Sequence, residues 1–317
     1  YFCSKKCSPL HCRQHEYTII KPTRHFQQTD PMFPFSKITT AATLLLSLSH
    51  TSGFVTPPPF IPHTTTTTTT NLNKLQMSSS SDAAAKSKYS KVFVAGGTRG
   101  VGKHVVEKLA AQGSQVIALA RNDDAIAELN AIDGVTAVKG DAFDYKSVEG
   151  AMDGCDAAVT LLGRGANAAE DEKRVDYEGN SNVIEAAGIL GVTRVVLVTS
   201  IGCGSSSEAV PPSVLETLKE ALTAKERAEN VLIKYYTNTN WTIIRPGGLK
   251  SEPATGTAIL SEDNLAIGTI HREDVADLVL KALTSAKTEK KILAAIDPEL
   301  VSTANPDSRV VKEFALV

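Results

Sequence analysis

Cysteine is scarce wherever a fold could use it. Of five cysteines, Cys3, Cys7 and Cys12 crowd the first dozen residues, and only Cys155 and Cys203 fall where secondary-structure signals occur. Two thiols are too few for a disulfide framework, which excludes the small stapled scaffolds and fits a reducing compartment. Cys3, Cys7 and Cys12 with His11 and His15 lack a second ligand pair at metal spacing, and no metal site is assigned. Excess charge of one sign is missing as well. Lys and Arg total 33 against 35 Asp and Glu, a net charge of −2, which excludes a chain-wide field for nucleic acid or an anionic membrane. No apolar run reaches the ~20 residues that a bilayer-spanning helix needs, so no transmembrane segment is expected in the mature chain.

Acid is absent from Phe54 to Ser81, whereas both signs mix freely after Asp82. That asymmetry separates a leader, residues 1–88, from a domain, residues 89–317. Met32 is a plausible start, followed by Lys37, the apolar stretch Ile38 to Ser49 and the small residues Thr51-Ser52-Gly53. This is the order of a signal peptide, over about 32–53. Phe54-Val55-Thr56-Pro57 then opens a hydroxyl-rich stretch to Ser81 that contains the run Thr64 to Thr70. A signal peptide, a phenylalanine at the junction and a transit-like segment resemble the bipartite presequences of algae with secondary plastids, with Gly53-Phe54 in place of the usual Ala-Phe. The resemblance implies delivery to the plastid stroma. A start at Met77 would leave the protein in the cytosol. The leader is too polar to build a core.

From Ser90 short β-branched runs recur: Val92–Ala95, Gln115–Ala120, Val135–Lys139, Ala157–Leu161, Arg194–Thr199, Thr242–Arg245 and Ile292–Ala295. Helical spacing separates them over Gly102–Ala111, Val175–Leu190, Val214–Tyr235 and Arg272–Ala282. Most of the strands are apolar throughout, as strands buried on both faces are. The pattern predicts an α/β fold, a single doubly wound Rossmann-like domain with a mostly parallel seven-stranded sheet. Leu249–Leu260 and the Ser- and Pro-rich stretch Ser205 to Pro212 fall outside it and are expected to rim a substrate site in a small C-terminal lobe.

The first strand runs into Ala95-Gly96-Gly97-Thr98-Arg99-Gly100-Val101-Gly102. Gly96 permits a tight turn, Gly100 lets backbone approach a pyrophosphate and Gly102 lets the helix pack on the strand. Thr98, Arg99 and Val101 line the same turn. The helix that follows presents free N–H groups and its positive end to the phosphates. Arg121 ends the second strand, where an NAD-specific site would carry an acid for the ribose hydroxyl. With Arg99 it offers guanidinium forks to a 2′-phosphate, so NADP(H) is favoured over NAD(H).

These glycines, with Gly140-Asp141-Ala142, Val175-Asp176-Tyr177-Glu178-Gly179-Asn180, Val196 to Ser200, Ala224-Lys225, Thr242 to Gly247 and Ile270 to Ala276, resemble the atypical, NAD(P)H-binding branch of the short-chain dehydrogenase/reductase superfamily. The resemblance spans Lys91 to Asp297. It implies that Asp141 and Ala142 flank the adenine and that Leu162 and Gly163 line the cofactor. Pro246 and Gly247 would lie near the carboxamide, and Asp274 would be structural.

The superfamily pattern also implies catalytic roles for Ser200 and Lys225, with Lys225 holding the nicotinamide ribose. Four residues before Lys225, where the pattern has a tyrosine acid, stands Ala221. Ketone reduction needs such an acid, worth ~10²–10⁴ in rate. Quinones, flavins and enones spread the incoming charge, and solvent can protonate them. The expectation is therefore an NADP(H)-dependent oxidoreductase acting on a small conjugated acceptor by direct hydride transfer. The alternative is a non-catalytic NAD(P)H-binding regulatory or assembly protein of the plastid. Tyr177, Tyr235 and Tyr236 are expected to pack, and Cys203 to be a buried bystander thiol.

Overall fold

The computed structural model describes residues 88–164, 174–300 and 311–316. The chain divides into Tyr1–Lys74 and Leu75–Val317, and every described residue belongs to the second unit. The Cys3, Cys7 and Cys12 group and the signal-like and transit-like stretches lie outside the described residues.

The strands are β1 (Lys91–Ala95), β2 (Gln115–Ala120), β3 (Val135–Lys139), β4 (Ala157–Thr160), β5 (Arg194–Val198), β6 (Asn240–Pro246), β7 (Gly248–Lys250), β8 (Ile259–Ser261), β9 (Thr269–His271) and β10 (Lys291–Ile296). The helices are α1 (Gly100–Ala111), α2 (Asp123–Asn130), α3 (Tyr145–Met152), α4 (Asn180–Ile189), α5 (Pro212–Tyr235) and α6 (Arg272–Thr284). The main sheet runs β3-β2-β1-β4-β5-β6-β10-β8. Its first seven members are parallel, and β8 joins antiparallel to β10. Strand order reverses between β1 and β4, and the crevice beyond the carboxyl ends of these two is where open α/β sheets bind ligands.

The apolar strands are explained by the two layers that cover them. Val92 and Val94 of β1 pack with Val105, Val106 and Leu109 of α1 and with Val275 and Val279 of α6. Their neighbours Phe93 and Ala95 turn to the opposite layer, where Met152 of α3, Val183 and Ile184 of α4, and Leu232 of α5 lie. Alternation along the strand supplies both cores at once.

The sheet has eight strands rather than seven. The additional strand β8 is only three residues long and comes from the stretch read as substrate rim, which lacks a β-branched run. Its outer edge is covered from the C-terminal segment: the Phe314 N–H donates to the Leu260 carbonyl at 2.7 Å, and Ser261 Oγ donates to the Lys312 carbonyl at 2.7 Å. Covering that edge removes an unpaired row of backbone groups. The segment Val175–Leu190 also differs from a plain helix. It opens with a π-helical turn, Val175–Gly179, before α4 begins. Such turns commonly mark functional positions.

Arg194 is the largest fully buried side chain. Its Nε donates to the Leu283 carbonyl at 3.1 Å, Nη1 to the Asn240 carbonyl at 2.8 Å, and Nη2 to the Ala282 carbonyl at 2.6 Å. Nη2 also reaches Thr242 Oγ1 at 2.7 Å and Thr288 Oγ1 at 2.9 Å. Among the described residues it forms no ion pair. The guanidinium instead satisfies the last carbonyls of α6, with the cation at the negative end of the helix. Burial lowers its pKa, but a guanidinium stays charged. Arg194→Met keeps the volume and strands those carbonyls. It should lower stability by about 3 kcal/mol, read as a reduced urea midpoint at unchanged m. An unchanged midpoint would refute the capping role.

Candidate active site

The β1–α1 turn is shaped by missing side chains. Gly96 has φ +88°, and a β-carbon there would lie 2.9 Å from the Leu161 carbonyl group. A β-carbon at Gly102 would lie 2.0 Å from the Gly96 carbonyl oxygen. The turn therefore sits against both the end of β4 and its own helix, an approach closed to any other residue. The helix begins at Gly100, two residues earlier than the spacing predicts. Val101 packs against the core, Thr98 is half-buried and Arg99 is exposed.

The first turn of α1 has no side-chain cap and no acidic residue. By contrast, Asn122 caps α2 by accepting from the Ala125 N–H at 2.8 Å, and Asp144 caps α3 by accepting from the Lys146 N–H at 3.1 Å. Open N–H groups at the glycine turn, with the helix dipole behind them, make a place for an anion. That cradle fits a dinucleotide's phosphates. Arg121 is exposed immediately after β2. Neither it nor Arg99 has an ion-pair partner among the described residues.

Across the crevice, the structure brings Leu162, Gly163 and Lys225 together. Lys225 Nζ lies 3.5 Å from the Leu162 carbonyl and 3.2 Å from where a β-carbon of Gly163 would be. It also pairs with Asp176 Oδ1 at 3.1 Å, a carboxylate that is 2% exposed. Asp176 Oδ2 accepts from the Arg164 N–H at 3.2 Å. Asn180, fully buried, donates to the Leu162 carbonyl at 3.1 Å and the Asp176 carbonyl at 2.9 Å, while Thr160 Oγ1 donates to its Oδ1 at 2.6 Å. Asp176 and Asn180 thus position Lys225 and the end of β4. Sequence reasoning assigned them no role. The available signal was two polar residues four apart, one helical turn, on one face of the helical segment Val175–Leu190.

Asp141 lies after β3, and its Oδ1 accepts from the Phe143 N–H at 3.0 Å. It braces its own turn, as a turn aspartate does. The Ala142 side chain is buried in the core, and its carbonyl accepts from Asn182 Nδ2 at 2.8 Å.

Ser200 follows β5, with its Oγ donating to the Ile201 carbonyl at 2.9 Å. It opens a cavity of about 420 Å³ together with Val210, Val214, Leu218, Pro246, Gly247 and Thr269. The lining is overwhelmingly apolar, and the lining residues include hydroxyls but no ionisable side chain. The Ser205–Pro212 stretch contributes to its rim. Leu249–Leu260 is not among its lining residues: its ends lie in β7 and β8, Ser251, Glu252 and Pro253 line the groove beside Gly100, and Thr255 and Gly256 are tied to Asp274.

None of the three tyrosines lines this cavity. Tyr177 lies under the Arg227 guanidinium, 3.7 Å from ring centroid to Cζ. Tyr236 packs so closely on Gly188 that a β-carbon there would meet the ring at 2.0 Å. Tyr235 departs from the packing expectation. It ends α5 beyond the core and is 75% exposed.

Beneath the cavity, Arg245 and Glu229 form a buried bidentate pair. Nε donates to Oε1 at 3.0 Å and Nη2 to Oε2 at 2.7 Å. Thr199 Oγ1 also donates to Glu229 at 2.6 Å, and Arg245 Nη1 reaches Ser205 Oγ at 2.9 Å. On the α6 side, Asp274 accepts from the Thr255 and Gly256 N–H groups, both at 2.9 Å. It anchors that loop, in line with a structural role. His271 and Asp297 lie beside it. Burial alone would raise Asp297, but hydrogen bonds from Thr255, Thr257 and the Glu299 N–H outweigh it and hold the carboxyl below its usual range.

With the cradle and the crevice in place, similarity to known proteins decides the family. The chain belongs to the NAD(P)H-binding family. That family's model matches residues 96–286. An uncharacterized chloroplastic protein of Arabidopsis thaliana is 30% identical over 236 residues, 72% of this chain and 82% of its own. An uncharacterized sugar epimerase of Bacillus subtilis is 31% identical over 203 residues, covering 63% and 91%. Among solved structures, ChuY, an anaerobillin reductase from Escherichia coli O157:H7, is 28% identical with a TM-score of 0.60. It matches 67% of this chain and 100% of that one. Chloroplastic proteins of Arabidopsis and pea recur among the relatives. No helix among the described residues is long and apolar enough to cross a membrane.

Cys203 is fully buried, with Sγ 3.6 Å from the Leu222 carbonyl. Burial foremost, with the Glu229 charge adding to it, pushes its pKa up to about 12. At pH 8 the thiolate fraction is then on the order of 10⁻⁴. Iodoacetamide at pH 8 should leave the Cys203 peptide unmodified in native protein and label it after denaturation. Rapid native labelling at this residue would contradict the bystander assignment.

Proposed function

We propose that this NAD(P)H-binding protein is an NADPH-dependent reductase of a small, flat, conjugated acceptor, quinone-, flavin- or enone-like, in the plastid stroma. The observation that carries the reading is the cavity beside Ser200: large enough for a ring system, apolar, and without an ionisable group in its lining. A ketone would require a positioned acid there to quench the developing alkoxide. A conjugated acceptor delocalises the added electron pair and takes its proton from solvent.

Bound NADPH would supply the hydride. The chain's own contribution is placement. The amides of the glycine turn bind the phosphates, and Lys225, held by Asp176, orients the ribose. Pro246 and Gly247 set the carboxamide end. A β-carbon at Gly247 would lie 2.2 Å from the Gly268 carbonyl oxygen, so only glycine closes the cavity floor at that point. The apolar walls exclude water from the transfer. Asp141 and Ala142 border the adenine, Ala142 through main chain because its side chain is buried.

Ala221 in the tyrosine's place supports a second reading, a regulatory or assembly protein that binds NADPH and does not turn it over. The two separate cleanly. Purified protein should oxidise NADPH rapidly with quinones or flavins and slowly with simple aldehydes. Tight NADPH binding with no turnover across all three classes would favour the second reading.

Arg99 and Arg121 support NADPH over NADH, since both are guanidiniums without a carboxylate partner among the described residues. Arg121→Asp should shift the NADPH:NADH affinity ratio by about tenfold or more toward NADH, as loss of one charge-assisted phosphate contact implies. A ratio that does not move removes the 2′-phosphate assignment.

A further inference from the structure

The first turn of α1 has a neighbour that the glycine pattern does not announce. Arg272 opens α6, and its Cδ and Nε lie 3.5 and 3.6 Å from where a β-carbon of Gly100 would be. Its Nη1 donates to Ser251 Oγ at 2.6 Å. That is one of five guanidinium N–H groups, and no carboxylate lies within ion-pair distance among the described residues. The side chain is half-buried and borders a groove of about 370 Å³ with Gly100, His104, Ser251, Glu252 and Pro253.

Two acids share this groove, and neither lies within ion-pair distance of Arg272. Glu273 pairs with Lys108 of α1 at 3.2 Å, and Lys108 also holds Asp277 of α6 at 2.9 Å. These contacts fix α6 against α1 and so fix Arg272 against Gly100. Glu252 has His271 Nε2 at 3.6 Å. Arg272 is left without a carboxylate partner among the described residues, beside an uncapped helix start.

We infer that Arg272 is a pyrophosphate-binding residue, closing over the dinucleotide from α6 while the α1 amides hold it from below. The inference rests on the proposed placement of the dinucleotide at the glycine turn. It adds a ligand contributed from more than 170 positions downstream of that turn. A pyrophosphate carries two negative charges, and α1 offers only partial positive charge. A guanidinium fork matches phosphate oxygens in both charge and geometry. The arrangement also accounts for glycine at position 100. A β-carbon there would only touch Arg272 at ordinary contact distance, but φ +53° disfavours any side chain and keeps the approach to the helix start open.

The test compares ligands with and without a pyrophosphate on the full chain. Dissociation constants for NADPH, NADH, ADP-ribose and 2′-AMP are measured by calorimetry for the wild type, Arg272→Gln and Arg272→Lys. Arg272→Gln should weaken the three pyrophosphate ligands together by about ten- to a hundredfold. The NADPH:NADH ratio and 2′-AMP affinity should stay within about twofold, and Arg272→Lys should fall between. Wild-type affinity for NADPH in Arg272→Gln overturns the inference alone. So does equal weakening of 2′-AMP, which would mean a disturbed loop. A wild type that binds neither NADPH nor NADH overturns the proposed function beneath it as well.

Discussion

The arrangement depends on one close approach: the carbonyl of Gly96 against the α-carbon of Gly102, where a β-carbon would sit 2.0 Å from the oxygen. That approach seats the start of α1 directly at the carboxyl end of β1 and leaves its first turn facing the crevice. Any side chain at position 102 would push the helix away and break the layer that Val105, Val106 and Leu109 form with α6. The binding site and the packing of this layer are therefore one constraint. The tight turn is available because glycine takes positive φ without steric cost, and the buried face of the helix holds it in place.

From there the chemistry is set by which polar groups are already occupied. Glu229, Arg245, Thr199 and Ser205 satisfy one another under the cavity floor. Asp176, Asn180 and Thr160 are used in holding Lys225 and the end of β4. A buried network satisfied in this way is rigid, and among the described residues the cavity lining offers hydroxyls but no ionisable side chain. Under the proposed function, a scaffold that fixes positions and lines the cavity without an acid would leave the acceptor to stabilise the electrons it receives. On this reading the substrate class follows from a residue type that is missing.

The fold was legible because parallel strands are buried on both faces and appear as unbroken apolar runs. All seven expected runs became strands of the sheet. β8 was not legible, because a three-residue edge strand is defined by its partner β10 and by the C-terminal segment covering it rather than by its own pattern. The glycine turn was legible for a local reason, since each glycine answers to an atom a few residues away or at the next strand. Asp176 could be seen as part of a motif, but its partnership with Lys225 joins positions 49 apart that only the crossover topology brings together. The same holds for Arg194 with the end of α6 and for Arg272 with Gly100. Tyr235 shows the reverse error. Helical periodicity continues to the last residue of α5, but the core does not.

The distribution of charge completes the argument. The chain as a whole is slightly acidic, and most of its described lysines and arginines near the sheet are paired or capping carbonyls. The cations without carboxylate partners include Arg99, Arg121 and Arg272. They lie respectively in the glycine turn, at the end of the strand beside β1, and at the start of the helix packed on α1. Each comes from a different element, and all three elements meet where α1 begins. Cations without carboxylate partners around an uncapped helix start suit an anion more than an empty site. Under the proposed function, a polyanion with one phosphate at the ribose and two at the bridge would give each of the three a partner. The same residues that select the ligand would then also supply part of the driving force for binding.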